Sequence, residues 1–344
     1  MFGPPPLRRT VEASFRDLAS QNSDVRQSAV NDLATHPLEG EEHAKATCEL
    51  ARLLGTDPSA AVRSASAVAL ADLRAHAAVP QLLLAVEDDH GHVRQMALAA
   101  LGEIGEKSAL ARVERALGDE RPEVRYQATI AYFRLCGSEA ESRLVAVFRE
   151  KSADADEAIR YIALRLGEEH LTGTASASVL LDVAAERLED ESVEVVLAAA
   201  VVLGHAGDER AYEVLGEVIR NGTLRGVTVP KEDETEAIEL AGRLGLEQLA
   251  PALARRAFGF ARLLRDTCSL SARVALARMG DRRAIESLAA DLEGSSADRR
   301  TLAIVAAGRS ARPELRAVLQ RGIRPLDPEL VAEALARLDR EIGT

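Results

Sequence analysis

The chain has 344 residues, more than one compact domain usually contains. Apolar residues make up 47% of it, but aromatic residues make up only 3% and tryptophan is absent, so a core has to be built from alanine, leucine, valine and isoleucine. The net charge of −12 disfavours binding of the whole molecule to nucleic acid or anionic lipid, because phosphate groups repel an acidic surface.

The first ten residues contain three consecutive prolines and no apolar signal region, so we expect a flexible, proline-rich leader over residues 1–10. The three cysteines, Cys48, Cys136 and Cys268, are far apart and form no CxxC pair. This spacing argues against a disulfide framework and favours a reducing cytoplasm. Since no run of 18 apolar residues occurs, no membrane span is expected.

A helical segment recurs along the chain. From Val93, the sequence VRQMALAALGEIG places apolar residues at helical spacing, and related segments begin at Val62, Val124 and Val195. The position eight residues after the leading apolar residue recurs at intervals of 28 to 41 residues, which predicts ten units. These marker positions are Leu33, Leu70, Leu101, Tyr132, Leu166, Leu203, Leu244, Met279, Ala307 and Leu338.

Each unit is predicted to contain two helices joined by a polar turn. In the third unit, residues 79–87 form the first helix and the Val93 segment forms the second. A turn aspartate stands five residues before the leading apolar residue, where its carboxylate can accept hydrogen bonds from the N–H groups that open the second helix. The aspartates in this position are Asp57, Asp88, Asp119 and Asp190. Glycine follows the marker, as at Gly102 and Gly245, and either allows close helix approach or helps end the helix.

An arginine follows the leading apolar residue in successive units. These residues are Arg26, Arg63, Arg94, Arg125 and Arg160. They could form a basic ladder that binds an acidic partner. Alternatively, each arginine pairs with the turn aspartate of its own or a neighbouring unit and locks the stack. The joint recurrence of aspartate and arginine favours this second interpretation, a structural ladder.

These residues resemble the HEAT repeat, a helical hairpin with aspartate in its turn, Val-Arg opening the second helix and Ala-Leu-Gly within it. Bacterial short-HEAT proteins, including those with phycobilisome-lyase-type repeats, are most similar. The resemblance covers about residues 11–340 and implies an all-α solenoid of about ten HEAT-type hairpins in a right-handed superhelix, with residues 11–344 as one domain. The later units depart from the pattern, because Val-Arg is missing at Val195-Val196 and Ile238-Glu239.

Residues 220–236 (RNGTLRGVTVPKEDETE) interrupt the repeat and stretch one interval to 41 residues. They are predicted to form an insertion loop, which is either part of a binding face or a tolerated surface insertion. The charge also changes here, from −10 over residues 171–250 to +5 over residues 251–344.

Two of the six phenylalanines lie at this junction, within PALARRAFGFARLLRD. They either fill the core or anchor a partner, with the arginines as a polar rim. The sequence therefore predicts a partner-binding site at the junction. Its candidate residues are Arg225, Lys231, Arg255, Arg256, Phe258, Phe260, Arg262 and Arg265.

The sequence offers no candidate for a catalytic, cofactor or metal site. His90 and His92 stand beside two aspartates, but one turn supplies all four residues and the spacing indicates no further ligand. We therefore expect a non-catalytic, cytoplasmic protein–protein interaction scaffold, adaptor or regulatory subunit, which could regulate an enzyme or a small GTPase. The alternative is an enzyme component, such as a bilin-lyase-like or other modifying subunit, and it is suggested only by the resemblance of the repeats.

Overall fold

The chain folds into twenty α-helices that form ten consecutive pairs, as seen in a computed structural model that describes residues 9–137, 141–259, 267–321 and 327–343. Strand structure in these residues is limited to one hairpin of two short strands. The predicted all-α architecture of about ten helical hairpins is confirmed. The residues divide into two compact units, Met1–Leu180 and Leu181–Thr344.

The first five pairs follow one another with short connections. They are α1 (Val11–Asp17) with α2 (Ser23–Thr35), α3 (Gly40–Thr56) with α4 (Ala60–Asp72), α5 (Val79–Ala85) with α6 (Gly91–Ile104), α7 (Leu110–Ala116) with α8 (Pro122–Leu135), and α9 (Glu141–Lys151) with α10 (Glu157–Leu171). Short 3₁₀ turns precede α5 and α7.

The last five pairs include the interrupted unit. They are α11 (Ala177–Arg187) with α12 (Val193–His205), α13 (Tyr212–Asn221) with α14 (Lys231–Leu244), α15 (Ala250–Phe258) with α16 (Ser269–Arg278), α17 (Arg282–Glu293) with α18 (Ala297–Gly308), and α19 (Pro313–Arg321) with α20 (Pro328–Ile342). The strands β1 (Thr223–Leu224) and β2 (Val227–Thr228) lie between α13 and α14.

In the first unit the second helices pack side by side in chain order, from α2 to α10. The marker residues Leu70, Leu101 and Tyr132 are fully buried in this layer. A Cβ atom added to Gly102 would lie 3.1 Å from the Cα atom of Ala131, so glycine allows α6 and α8 to approach closely. A single layer of small and aliphatic side chains is therefore enough to join neighbouring hairpins.

In the second unit the second helices also pack side by side in chain order, from α12 to α20. Residues 195–204 of α12 are all buried, as expected for a helix without a polar face. A Cβ atom on Gly242 would lie 2.6 Å from the Cα atom of Ala275, so α14 and α16 also need glycine at their contact. Gly245 has φ +63° and ends α14. Both predicted roles of glycine occur.

Two predicted boundaries differ from the structure. Arg9 and Thr10, assigned to the leader, belong to the first hairpin: Arg9 forms ion pairs with Asp17 and Asp32, and Thr10 caps α1. The insertion loop is shorter than residues 220–236, because α13 continues to Asn221 and α14 begins at Lys231. The connection of residues 222–230 contains the β-hairpin.

Candidate partner-binding surface

A ladder of arginine–aspartate pairs connects neighbouring hairpins of the first unit. Each arginine near the start of a second helix binds both carboxylate oxygens of the aspartate in the next hairpin's turn, through two N–H···O bonds of 2.8–3.1 Å. The pairs are Arg26–Asp57, Arg63–Asp88, Arg94–Asp119 and Arg125–Asp154. These charges therefore join hairpins to each other, and the bidentate geometry makes each contact directional.

The same arginines bind the backbone of their own turn. In each case Nη1 donates to the carbonyl six residues earlier, at 2.9–3.0 Å, as from Arg94 to Asp88. Arg160 makes the equivalent bond to the carbonyl of Asp154. The turn aspartate completes the network by accepting an N–H two residues later, as Asp57 does from Ser59. Each arginine thus fixes the turn before its own helix and the turn of the next hairpin.

This network keeps the aspartates ionised. Burial by itself raises the pKa of Asp119, but hydrogen bonds from Arg94 and from the N–H of Arg121 outweigh it, so the pKa lies below its ordinary value. The pKa values of Asp57, Asp88 and Asp154 are lowered for the same reason. Hydrogen bonds to the charged form thus exceed the cost of its desolvation.

Asp154 was not among the predicted turn aspartates. It stands five residues before the buried Ile159, which is the spacing of the other turn aspartates, so the signal was present. Asp190, which was named, is buried and its carboxylate accepts a hydrogen bond from the N–H of Ser192.

The insertion contributes an arginine where the repeat has none. In the sixth pair, position 196 is valine, so no ladder arginine is available for the carbonyl of Asp190, six residues earlier. Arg225 of the insertion binds that carbonyl with Nη1, and its Nη2 donates to the carbonyl of Leu188 at 2.8 Å. Arg225, 35 residues from Asp190, therefore makes the backbone contact that a ladder arginine makes in the first unit.

Arg225 is held in the turn of the β-hairpin. It has φ +50° and Gly226 has φ +79°, so both central residues lie in the left-handed region that a tight two-residue hairpin turn requires. The carboxylate of Glu217 accepts the N–H of Arg225 at 2.7 Å. Val227, beside the turn, is 54% exposed.

A buried carboxylate lies beneath the insertion. Glu234 is 0% exposed and forms ion pairs with Lys231, at 2.6 Å, and with Arg256. The thiol of Cys268 lies 3.5 Å from Oε2 of Glu234 and donates to it. This cluster ties the start of α14 to α15 and to the start of α16.

The surroundings of Glu234 favour its charged form. Burial raises its pKa, but hydrogen bonds from Arg256 and Lys231, and their charges, lower the pKa overall. The hydrogen bond to Glu234 in turn raises the pKa of Lys231. Gly222 has φ +67°, and a Cβ atom there would lie 2.9 Å from Oε1 of Glu234, so the backbone closes directly over the carboxylate.

The structure separates the predicted partner-binding residues into three groups. Arg225, Lys231 and Arg256, predicted to bind a partner, direct their charged groups to contacts within the chain. The physical reason is that the part-buried carbonyl of Asp190 and the buried carboxylate of Glu234 need these donors. Arg255 is exposed, and Phe258 is half-buried with the guanidinium of Arg283 4.1 Å from its ring centroid.

The third group consists of Phe260, Arg262 and Arg265, which lie outside the described residues. Among the described residues of the junction, the hairpin of residues 223–228 includes the exposed Val227, Arg255 is exposed and Phe258 is half-buried; we call this set the insertion face.

Within the described ranges, three or more histidine, cysteine or acidic side chains nowhere come together in a way that could hold a metal ion. Cys48 is exposed, and Cys136 and Cys268 are buried; all three are free thiols. In the same part of the chain, none of the helices combines the length and apolar character needed to cross a membrane.

Residues 79–165 match the family described as HEAT repeats. No curated protein matches the sequence. Among solved structures, the chain is similar to YibA of E. coli, with 19% identity, a TM-score of 0.57, and coverage of 78% of this chain and 92% of YibA. It is also similar to Kap121p, with 15% identity and a TM-score of 0.55, over 98% of this chain and 40% of Kap121p. At these identities the likeness shows a shared helical-repeat fold.

The structure of the CpcE–CpcF complex of phycocyanin lyase from a Nostoc species is also similar, with 18% identity, over 70% of this chain and 89% of that chain. The TM-score is 0.44, which carries no argument for a lyase activity here.

Proposed function

We propose that this chain of HEAT-type hairpins is a non-catalytic scaffold, adaptor or regulatory subunit that binds a protein partner through the insertion face. The observation that supports it most is the exposed apolar Val227 at the tip of a hairpin that is anchored from below. Exposed apolar groups on rigid elements lose little conformational freedom when they bind. The free thiols fit a reducing compartment, so we propose a cytoplasmic location.

Contacts within the chain hold the elements that carry the insertion face. Arg225 holds the turn of the hairpin to the carbonyls of Leu188 and Asp190. Glu234 holds α14 to α15 through Arg256. Arg255 is exposed and lies in the same helix, next in sequence to the bound Arg256, so we propose it as a rim charge of the interface.

Affinity capture from native lysate, read by quantitative mass spectrometry, tests the proposal with matched variants. The double variant Val227→Asp/Arg255→Glu should lose at least about 90% of the partner that the wild type retains, since an anchor contributes about 2 kcal/mol or more. Leu84→Asp/Arg299→Glu is the control, because Leu84 is 67% exposed and Arg299 is exposed elsewhere.

Equal retention by both double variants would place the partner elsewhere and refute the insertion face.

A bilin added to the purified chain provides the test of the enzyme-component alternative. A lyase-type subunit would bind the tetrapyrrole and change its absorbance, whereas a scaffold should leave the spectrum unchanged.

A further inference from the structure

The second helices of the second unit enclose a cleft that the insertion face does not include. It has a volume of about 180 Å³ and lies between α14, α16, the end of α18 and α20. We call it the arginine cleft. Its charged residues are Glu239, Arg243, Arg278, Arg309, Arg337 and Glu341.

Two of its arginines are committed to its two carboxylates. Nη2 of Arg278 lies 2.7 Å from Oε2 of Glu341, and its Nη1 donates to the carbonyl of Arg309 at 2.8 Å. The guanidinium of Arg309 forms an ion pair with Glu239. These pairs use side chains from four successive hairpins, so they fix the walls of the cleft.

Glu341 is ionised within this arrangement. Burial raises its pKa, but the hydrogen bond from Arg278 and the charges of Arg278, Arg337 and Arg243 lower the pKa overall. The cleft therefore contains four positive and two negative charges, which leaves a surplus of two positive charges in an acidic protein.

The surplus belongs to Arg243 and Arg337. Among the described residues, Arg243 makes neither a hydrogen bond nor an ion pair, and its side chain is exposed. Arg337 is 48% exposed and lies 3.8 Å from Glu341, too far for a hydrogen bond. Guanidinium groups keep their charge at all accessible pH values and present five N–H donors, so both have donors available to a ligand.

From this surplus of charge and donors, we propose that the arginine cleft binds carboxylate side chains of an acidic segment of a partner protein. Two carboxylates would balance the two surplus charges, and the planar fork of arginine matches a carboxylate. The volume fits small side-chain groups and excludes a folded domain. A phosphate dianion carries the same two charges on a single group, whereas two carboxylates can each bind one of the two surplus guanidinium groups.

This inference goes beyond the proposed function, since it assigns a second surface and the chemistry of its ligand. It does not depend on the insertion face: the two surfaces have no residue in common. A chain that loses binding at one surface can still be measured at the other.

The test uses a fluorescein-labelled oligo-glutamate peptide and fluorescence anisotropy with the full chain at low ionic strength. Because the chain carries a net charge of −12, general attraction of the peptide is excluded and binding requires a local basic site. Arg243→Glu/Arg337→Glu should weaken binding by at least about tenfold, with a difference that fades at high salt. An oligo-glutamine peptide should not bind.

The control is Arg299→Glu/Arg321→Glu, which changes the net charge equally at exposed positions outside the cleft. It should bind within about twofold of the wild type. Circular dichroism establishes that both double variants are folded. If Arg243→Glu/Arg337→Glu unfolds at a lower temperature than the wild type, Arg243→Gln/Arg337→Gln replaces it, and the same weakening of peptide binding is expected.

Several outcomes would overturn the proposal. One is equal weakening in the cleft and control variants, which would show an effect of net charge alone. Another is displacement of the peptide by inorganic phosphate but not by free glutamate at equal concentration, which would make the cleft a phosphate site. A third is self-association of the wild type, measured by light scattering and lost only in the cleft variant, because the occupant would then be a second copy of this chain.

Discussion

The first five hairpins and the stretch from Asp190 to Cys268 use different residues to bind the backbone of the turn within a helix pair. In the first region, each arginine at the start of a second helix joins its own turn to the next hairpin's aspartate. In the second, valine replaces the arginine at position 196, and Arg225 of the insertion binds the carbonyl of Asp190 instead. The part-buried carbonyl needs a donor, and different positions of the sequence can supply it.

The two regions also differ in how their charges are distributed. The ladder repeats one bidentate pair, so the loss of one pair leaves the others in place. The irregular region instead places two cations, Lys231 and Arg256, on one buried carboxylate, Glu234. We therefore expect single substitutions to cost more in the irregular region than in the ladder.

The largest effect is expected at Glu234. Glu234→Ala should lower the free energy of unfolding by about 3–5 kcal/mol, because it removes a buried carboxylate that binds both Arg256 and Lys231. Chemical denaturation followed by circular dichroism measures this change. Glu232→Ala is the control, since Glu232 is exposed two residues away and should change stability by less than about 1 kcal/mol. Equal effects of the two variants would show that the buried cluster is not important for stability.

A smaller effect is expected for one pair of the ladder. Arg94→Ala should lower the free energy of unfolding by about 2–3 kcal/mol, because it removes two charged hydrogen bonds from the carboxylate of Asp119, whose side chain is only 13% exposed. Arg134→Ala should cost about 1 kcal/mol or less, since Arg134 is 49% exposed and 3.9 Å from Glu103. The same denaturation measurement applies. If both variants were equally stable, the pairs would not lock the stack.

The backbone contact of the insertion should contribute less. Arg225→Ala should lower the free energy of unfolding by about 1–2 kcal/mol, because the carbonyls of Asp190 and Leu188 lose their donor. Arg220→Ala, at an exposed position of α13, should stay within about 0.5 kcal/mol of the wild type. Hydrogen exchange should show faster exchange in residues 222–230 for Arg225→Ala only. Unchanged exchange would mean that Arg225 does not hold the hairpin.

The smallest effect is expected in the pH dependence of one ladder aspartate. The pKa of Asp119 is lowered in the folded chain from its ordinary value of 3.8. The ionised Asp119 therefore contributes its full share to the stability of the fold above pH 3.8, and this share is lost as the pH falls through the folded pKa. Asp119→Asn should reduce the slope of stability against pH below about 4, by at most about 1.4 kcal/mol per pH unit. Denaturation at a series of pH values measures this slope. An unchanged slope would indicate that the pKa of Asp119 is not lowered.

The period of the apolar pattern was sufficient to predict the ten helix pairs, because each pair has to bury one apolar face against its neighbours. Pairing of the ladder arginines with turn aspartates was also within reach, since both residue types recur at fixed spacing. The sequence could not show that each arginine binds the aspartate of the next hairpin, because this choice depends on the distance between stacked helices.

The sequence by itself determined the helical class, the number of hairpins and the place where the repeat is interrupted, because these depend on local periodicity. The tertiary structure alone decided that Arg225, Lys231 and Arg256 bind within the chain. It also brought Arg243, Arg278, Arg309 and Arg337, from four different hairpins, to one cleft. The physical reason is that a long charged side chain binds a nearby carbonyl or carboxylate shielded from water, and the stacking of the hairpins determines which of these groups is nearest.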